Sequence, residues 1–353
     1  MTKLQLIPLF TLAVAAAQAQ TVPAVFPLAP PAVSTVPSNG DVNPYGVAFV
    51  PRTVPADGLL QQGDVLVSNF NNVENLQGTG GTIVRISQSG QMSVFYQTNS
   101  LFGLTAALGI LSNGVVIVGN LPTADGTSAT AQAGVLTFID RFGNILGSLS
   151  GNGVNGPWGM AIADNGAGAA SLFVSNVLSG TVIRYTLGYS GSSTVAIKAS
   201  ATVASGLNHR LDPAALVLGP SGLYYDSLHD LLYVASSADN SIYTIAQASS
   251  SNPGTVTALY HDAVHLHGPL DITVATNGHL LVANSDGSNV DPNQPSELVE
   301  FTTGGTFVAQ YSIDPNNGGA FGLNVFNIGF GTMRLAAVDD NANTLKLWTA
   351  FVP

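Results

Sequence analysis

The chain has no cysteine, which excludes disulfides, thiol nucleophiles and thiolate metal sites. It is also poor in charge: 8% of its residues are charged, about a third of the ordinary share. Basic residues are scarcest, with 9 Lys plus Arg against 20 Asp plus Glu and a net charge of −11. A nucleic-acid partner would need a basic stripe for its phosphates, and none can be assembled. Glu and Lys normally cover the outer faces of long soluble helices, so such helices are not expected. What is abundant is apolar and turn-forming: 46% hydrophobic residues, 39 Gly and 19 Pro among 353 residues. That share of Gly and Pro stays below the level that marks disorder.

Met1 to Gln20 has one Lys, an apolar stretch from Leu4 to Ala17 and the small-x-small triplet Ala17-Gln18-Ala19. This is the pattern of a secretory signal peptide over residues 1–19, and it predicts a secreted or periplasmic protein with no membrane span after cleavage. A second uncharged stretch, GLTAALGILSNGVVIVGN (103–120), carries Asn113-Gly114 in its middle. Asn-Gly between apolar runs is a hairpin signal, so two buried strands are expected there.

Residues 20–353 read as one domain built from a repeated unit. It is clearest in NGPWGMAIA (155–163), LFVSN (172–176) and GTVIRY (180–185): a Gly/Pro turn with an apolar strand, a strand ending in a small polar residue, and an alternating strand. Copies begin near 42, 101, 155, 219, 267 and 318. The valine near the end of each second strand falls at Val67, Val118, Val174, Val234, Val282 and Val338. A period of this length fits one four-stranded antiparallel sheet per repeat, and so an all-β, six-bladed propeller. The last repeat ends in TLKLWTAFVP without an outermost strand. The segment around Val25 to Val36, upstream of the first repeat, is expected to supply it and close the ring.

The units NGPWGMAIA, LLYVAS and HLLVAN resemble the NHL-repeat class of six-bladed propellers, and nearly the whole mature chain is covered. NPYGVAFVP, LVSNFNN, NLQGTGGTIV, LHGPLDI and GGAFGL resemble a family of exported bacterial NHL-like proteins without an assigned activity. Related propeller families include peptide-amidating lyases, streptogramin lyases and gluconolactonase-like hydrolases. The lactonase-like families imply a divalent metal held by an early Glu with later Asn and Asp, yet no Glu precedes Glu74 here. The lyases imply His in several inner strands, and the inner strands predicted here carry none.

GNGVNG (151–156) matches a dinucleotide fingerprint in letters only. Pro157 and a strand follow it where a helix N-terminus would be needed, so it reads as a turn between blades. Where the first strands of other repeats carry Gly46, Gly103, Gly159, Gly222 and Gly322, the fifth carries Asp271. With His265 and His267 just upstream, Asp271 forms a candidate divalent-metal set. The loop NSDGSNVDPNQPSE (284–297) adds Asp286, Asn289 and Asp291, oxygen donors suited to Ca²⁺, although EF-hand spacing fails. The plainer reading of both is turn capping by polar side chains. Adjacent Asp339 and Asp340, on the equivalent loop of the last repeat, read as solvated.

Long loops follow the second strands of repeats one, two and five, and all open on one face. The first supplies the amides Asn71, Asn72, Asn75 and Gln77, which make directional hydrogen bonds without charge. Trp158, at the start of a first strand, could stack on a sugar or peptide or simply pack in the core. The expected partner is a small molecule, carbohydrate or peptide at the channel mouth, with no cofactor required and Ca²⁺ or Zn²⁺ the metals that fit. Of three functions, the first is the preferred reading and the second its alternative. The first is a propeller that binds without catalysis. The second is a metal-assisted lyase or hydrolase at the channel mouth, and the third is a structural envelope component.

Overall fold

A computed structural model describes residue 25 and residues 30–98, 100, 102–191, 193–285 and 287–352. The signal peptide expected over 1–19 lies outside the described residues. These form six four-stranded antiparallel sheets, one per repeat, and a single 3-10 turn at Ser128–Thr130. No helix among them is long and apolar enough to cross a membrane.

The innermost strands are Val42–Phe49, Leu104–Ile110, Pro157–Asp164, Pro220–Asp226, Pro269–Val274 and Ala320–Gly329. Each packs against the innermost strands of the blades before and after it, the sixth against the first, so the chain is a closed ring around a channel. Second strands such as Val65–Asn71 and Val116–Asn120 are wholly buried between blades. The outermost strands, such as Ile145–Leu149, are largely open to solvent. This gradient is why the second strands read as unbroken apolar runs while outer strands alternate.

Every blade enters the channel in the same way. A first-strand residue pairs with the small polar residue that ends the second strand: Pro44 with Asn69, Leu104 with Asn120, Pro157 with Asn176, Pro220 with Ser236, Pro269 with Asn284, and Ala320 with Asp339. A bulge follows each pair, which bends the strand into the ring. The polar residue ties down an adjoining loop: Asn120 Oδ1 accepts from Val135 N at 2.6 Å within blade two, and Asn176 Oδ1 accepts from Asn155 N, in the connection into blade three, at 2.9 Å. Two residues beyond each pair stand Gly46, Ala106, Gly159, Gly222, Asp271 and Gly322. The structure thus puts Ala106, not Gly103, at the repeated small position of blade two. Room is the reason for small residues there. A Cβ on Gly159 would collide with the Ser221 carbonyl, and one on Gly322 with the Tyr45 carbonyl.

Side chains bridge these crowded strands. Ser68 Oγ donates to Thr105 O at 2.9 Å, Thr105 Oγ1 to Pro157 O at 2.7 Å, Ser175 Oγ to Ser221 O at 2.5 Å, and Ser221 Oγ to Pro269 O at 2.8 Å. Asp271 continues the series, its Oδ2 accepting from Leu323 N of the next blade at 2.9 Å.

Ala32–Ser34 forms the outer strand of blade six, pairing antiparallel with Thr344–Lys346. Thr35 adds N and Oγ1 bonds to Asn343 O at 3.0 and 2.9 Å, and its own carbonyl accepts from Asn69 Nδ2 at 2.9 Å. Leu347 N donates to Pro31 O at 3.2 Å, and Val25 N to Glu300 Oε2 at 2.8 Å. The segment around Val25 to Val36 therefore joins blade six to blades one and five. A variant lacking Thr21 to Val36 loses all of these bonds, at about 1 kcal/mol each a large part of an ordinary domain's stability. Its melting temperature is expected to fall by roughly 10 °C or more, and an unchanged melting curve would show that the ring closes without this segment.

Candidate functional site at the channel mouth

The inward strands divide the channel into two cavities. The cavity at the face where blades connect has a volume of about 220 Å³. Its base is aromatic. Tyr45 lies 4.8 Å from Phe70, 4.6 Å from Phe321 and 5.6 Å, edge-on, from Trp158, ring centre to ring centre. One side is closed by a hairpin between blades three and four, Arg210–Asp212 and Leu216–Leu218. Asp212 Oδ1 accepts from Ala214 N and Ala215 N at 2.9 and 3.0 Å, fixing the hairpin's tip. Ala214, Ala215 and Val217 consequently stand over the mouth.

Amides form the opposite wall. Asn71, Asn75 and Gln77 line the cavity together with Asn43. Asn71 Nδ2 donates to Asn75 Oδ1 at 2.7 Å, and Asn43 adopts a positive φ of 60° that few residue types tolerate. Asn43 Oδ1, Asn71 Oδ1 and the indole N–H of Trp158 are buried without a hydrogen-bond partner among the described residues. Such groups cost roughly 1–3 kcal/mol each when left unmade, and these three belong to residues that line the cavity. Asn72 stands apart from this wall: its Oδ1 accepts from Glu74 N and Leu76 N, both at 3.1 Å, shaping the loop that presents the others.

Asp340 also faces the cavity. Burial first, and then the charge of Asp339, raise its carboxyl from the ordinary range to about 7. Burial and the Asp340 charge raise the Tyr45 phenol in turn. Asp339 ends its strand and Asp340 opens the turn that follows, and the two aspartates differ accordingly. Asp339 is fully buried in an ion pair with Lys346 at 2.9 Å, whereas Asp340 looks into the mouth. Neither is the freely solvated acid that sequence led us to expect. The sequence also did not disclose Asn43, Tyr45 or the hairpin; the Asp212-Pro213 turn was its one local signal.

The metal candidates divide into three groups. His267 and Asp291 meet, Nε2 to Oδ2 3.5 Å apart, and Glu297 joins them, with ligand atoms all within 4.8 Å of one another. Asn289 adds its carbonyl, 3.2 Å from His267 Nδ1. His265 instead bonds Asp262 and Tyr260 through Nδ1, both at 2.9 Å, and stacks on Phe307. Asp286 lies outside the described residues. Asp271 is elsewhere, in the second cavity of about 250 Å³ at the far end of the channel, beside Tyr224 and Asn324. Both of its oxygens accept backbone N–H groups, from Ile272 and Leu323 at 2.9 Å.

No family model and no curated protein matches the chain. Solved structures do match it. A gluconolactonase from Xanthomonas campestris is 13% identical, covering 94% of this chain and 99% of its own, with a TM-score of 0.53. The calcium-binding protein regucalcin from Agrobacterium tumefaciens is 13% identical over 91% and 94%, with a TM-score of 0.54. Catalytically inactive virginiamycin B lyase from Staphylococcus aureus, with quinupristin, is 13% identical over 91% and 99%, with a TM-score of 0.51. The likeness is one of fold. It places the chain among six-bladed propellers.

Asp271 is held at about 7 by burial, which outweighs its two backbone hydrogen bonds, and Asp340 is held at a similar value. A carboxyl that binds its proton more tightly folded than unfolded favours the fold at low pH. That contribution is fully present below the ordinary carboxyl value and lost as pH rises towards 7. Carboxyls that the fold lowers, such as Asp262 at about 2, act in the opposite direction only below about pH 4. The melting temperature should therefore drop by several degrees between pH 5 and pH 7.5. Asp271→Asn and Asp340→Asn should each flatten that slope in thermal melts across the same buffers; identical slopes in all three proteins would refute the assignment.

Proposed function

We propose that the chain is an exported propeller enzyme, a lyase or hydrolase acting at the channel mouth on an uncharged, hydrogen-bonding substrate. The observation that carries this reading is Asp340, a carboxyl poised near neutrality on the wall of a ligand-sized cavity. A group with that affinity for protons can give one up or take one at physiological pH. Tyr45, beside it in charge interaction, offers a phenolic O–H to the same substrate atom or its neighbour. Asn43, Asn71 and the Trp158 N–H would orient polar groups, and the ring faces of Tyr45 and Phe321 would cover an apolar or sugar-like face.

A bound divalent cation would polarise a substrate carbonyl. Asn43 Oδ1, Asn71 Oδ1 and Asp340 are hard oxygen donors of the kind Ca²⁺ takes. The names of the fold neighbours, two of them enzymes and one calcium-binding, support catalysis over passive binding. Export rests on the leader at 1–19 and on the resemblance to exported NHL-like proteins.

The second reading is binding without catalysis, favoured by a wall made mostly of neutral amides. A panel of sugar lactones and other cyclic esters, followed by mass spectrometry of the products, separates the two. Under the catalytic reading at least one member is consumed with a rate that changes around pH 7. Asp340→Asn should slow it by about 100-fold or more while ligand-induced thermal shifts persist. No turnover of any member, with wild type and Asp340→Asn binding the same compounds equally, would return the chain to the second reading.

A further inference from the structure

From Arg210 to Arg334 the sequence contains no Lys or Arg between those two residues, yet eleven of its twenty acids fall there. Blades four and five therefore have no cationic side chain of their own, and carboxylates buried in them must find another counter-charge. Glu300 pairs with His279, Nδ1 to Oε1 2.6 Å apart. Glu297 and Asp291 share a single histidine, His267.

Glu297 begins the third strand of blade five, Glu297–Phe301, and is 1% exposed. Its Oε1 accepts from Asn284 Nδ2 at 2.7 Å, and that same amide nitrogen also donates to His265 O at 2.8 Å. The carboxylate is thus aimed before any ligand arrives. His267, 7% exposed, has Nδ1 3.2 Å from Asn289 O, Nε2 3.3 Å from Val264 O and Nε2 3.5 Å from Asp291 Oδ2. An N–H on Nδ1 donating to Asn289 leaves the Nε2 lone pair directed at two oxygens. In that tautomer the repulsion, with two carboxylates facing one imidazole, is relieved by a cation placed between them. A carbonyl on the distal ring nitrogen is also the usual way a metal-bound histidine is oriented.

We infer that His267, Asp291 and Glu297 bind a divalent metal ion. One imidazole nitrogen with two carboxylates favours a borderline ion such as Zn²⁺ or Mn²⁺ over Ca²⁺, which takes oxygens throughout. The site is outside the channel-mouth cavity and stands whether or not that cavity turns over a substrate. It nevertheless bears on the cavity. The loop that carries Asp291 also gives Ser285 and Gly287 to the cavity wall, and Ser285 is already tied to Gly268 O through N and Oγ at 3.1 and 2.9 Å. The ion pins the middle of this loop to the base of blade five, as Ser285 pins its start.

The test uses the mature chain purified without a polyhistidine tag, stripped with EDTA, and titrated separately with Zn²⁺, Mn²⁺ and Ca²⁺. Near-stoichiometric uptake of Zn²⁺ or Mn²⁺ is expected, with a rise in melting temperature of about 5 °C at saturation. His267→Ala, Asp291→Asn and Glu297→Gln should lose both uptake and shift, whereas Asp340→Asn keeps them. Glu297 is buried and its replacement risks misfolding, so Asp291→Asn, in the loop, carries the test independently. An imidazolium that balances the carboxylates alone would leave the stripped protein indifferent to every ion, and that result overturns the proposal. A shift with Ca²⁺ only, or an equal Zn²⁺ shift in all variants, also overturns it.

Discussion

The structure depends on how closely six innermost strands can approach around one axis. At the tightest level no side chain larger than a methyl fits, except where a carboxylate replaces it and bonds the neighbouring backbone. Each blade meets this constraint with a bulge after the polar-ended pair, and blades one to five add a hydroxyl or carboxyl that bonds the next blade's backbone. These seams do more than apolar contact, because they fix the rotation of one blade against the next. They also set where the channel is occluded and hence where its two cavities lie. Asp271 belongs to this system first: it is raised towards neutrality because it is the acidic member of a seam that is otherwise neutral.

The ring was legible in the chain because each blade solves the same packing problem with the same residue types. Blade number, strand order, the closing segment and the face bearing the long loops could all be read from sequence. The alignment failed at blade two, where Gly103 serves a turn with φ of 63° and Ala106 takes the inner position. A glycine chosen for its backbone angle and one chosen for close approach look alike in letters. The blade three–four hairpin was missed for a related reason. It occurs once, so no repeat draws attention to it.

Sites were less legible than strands. Asn71, Asn75, Gln77 and Trp158 converge on one cavity because a loop of blade one and a strand start of blade three share the mouth. Asn72, in the same run, points into its own turn. The strand's end decides the fate of the pair Asp339 and Asp340, because one closes the strand and the other opens the turn, and sequence did not fix that boundary. The histidine cluster shows the same limit. His265 and His267, two residues apart, serve different neighbours, and Glu297, the carboxylate that joins His267, is thirty residues further along.

The closing strand has a kinetic consequence. Thr35 meets Asn343 across 308 residues, so the seam of blade six spans almost all of the described chain. Loop-closure entropy makes so distant a pairing the last to be rewarded. Before it forms, an emerging chain holds blades with an exposed edge and an open ring. Once the seam forms, both ends are anchored in the same sheet, and a force pulling them apart loads that single blade before it reaches the other five. The fold is therefore slow to commit and, once committed, opens at a defined place.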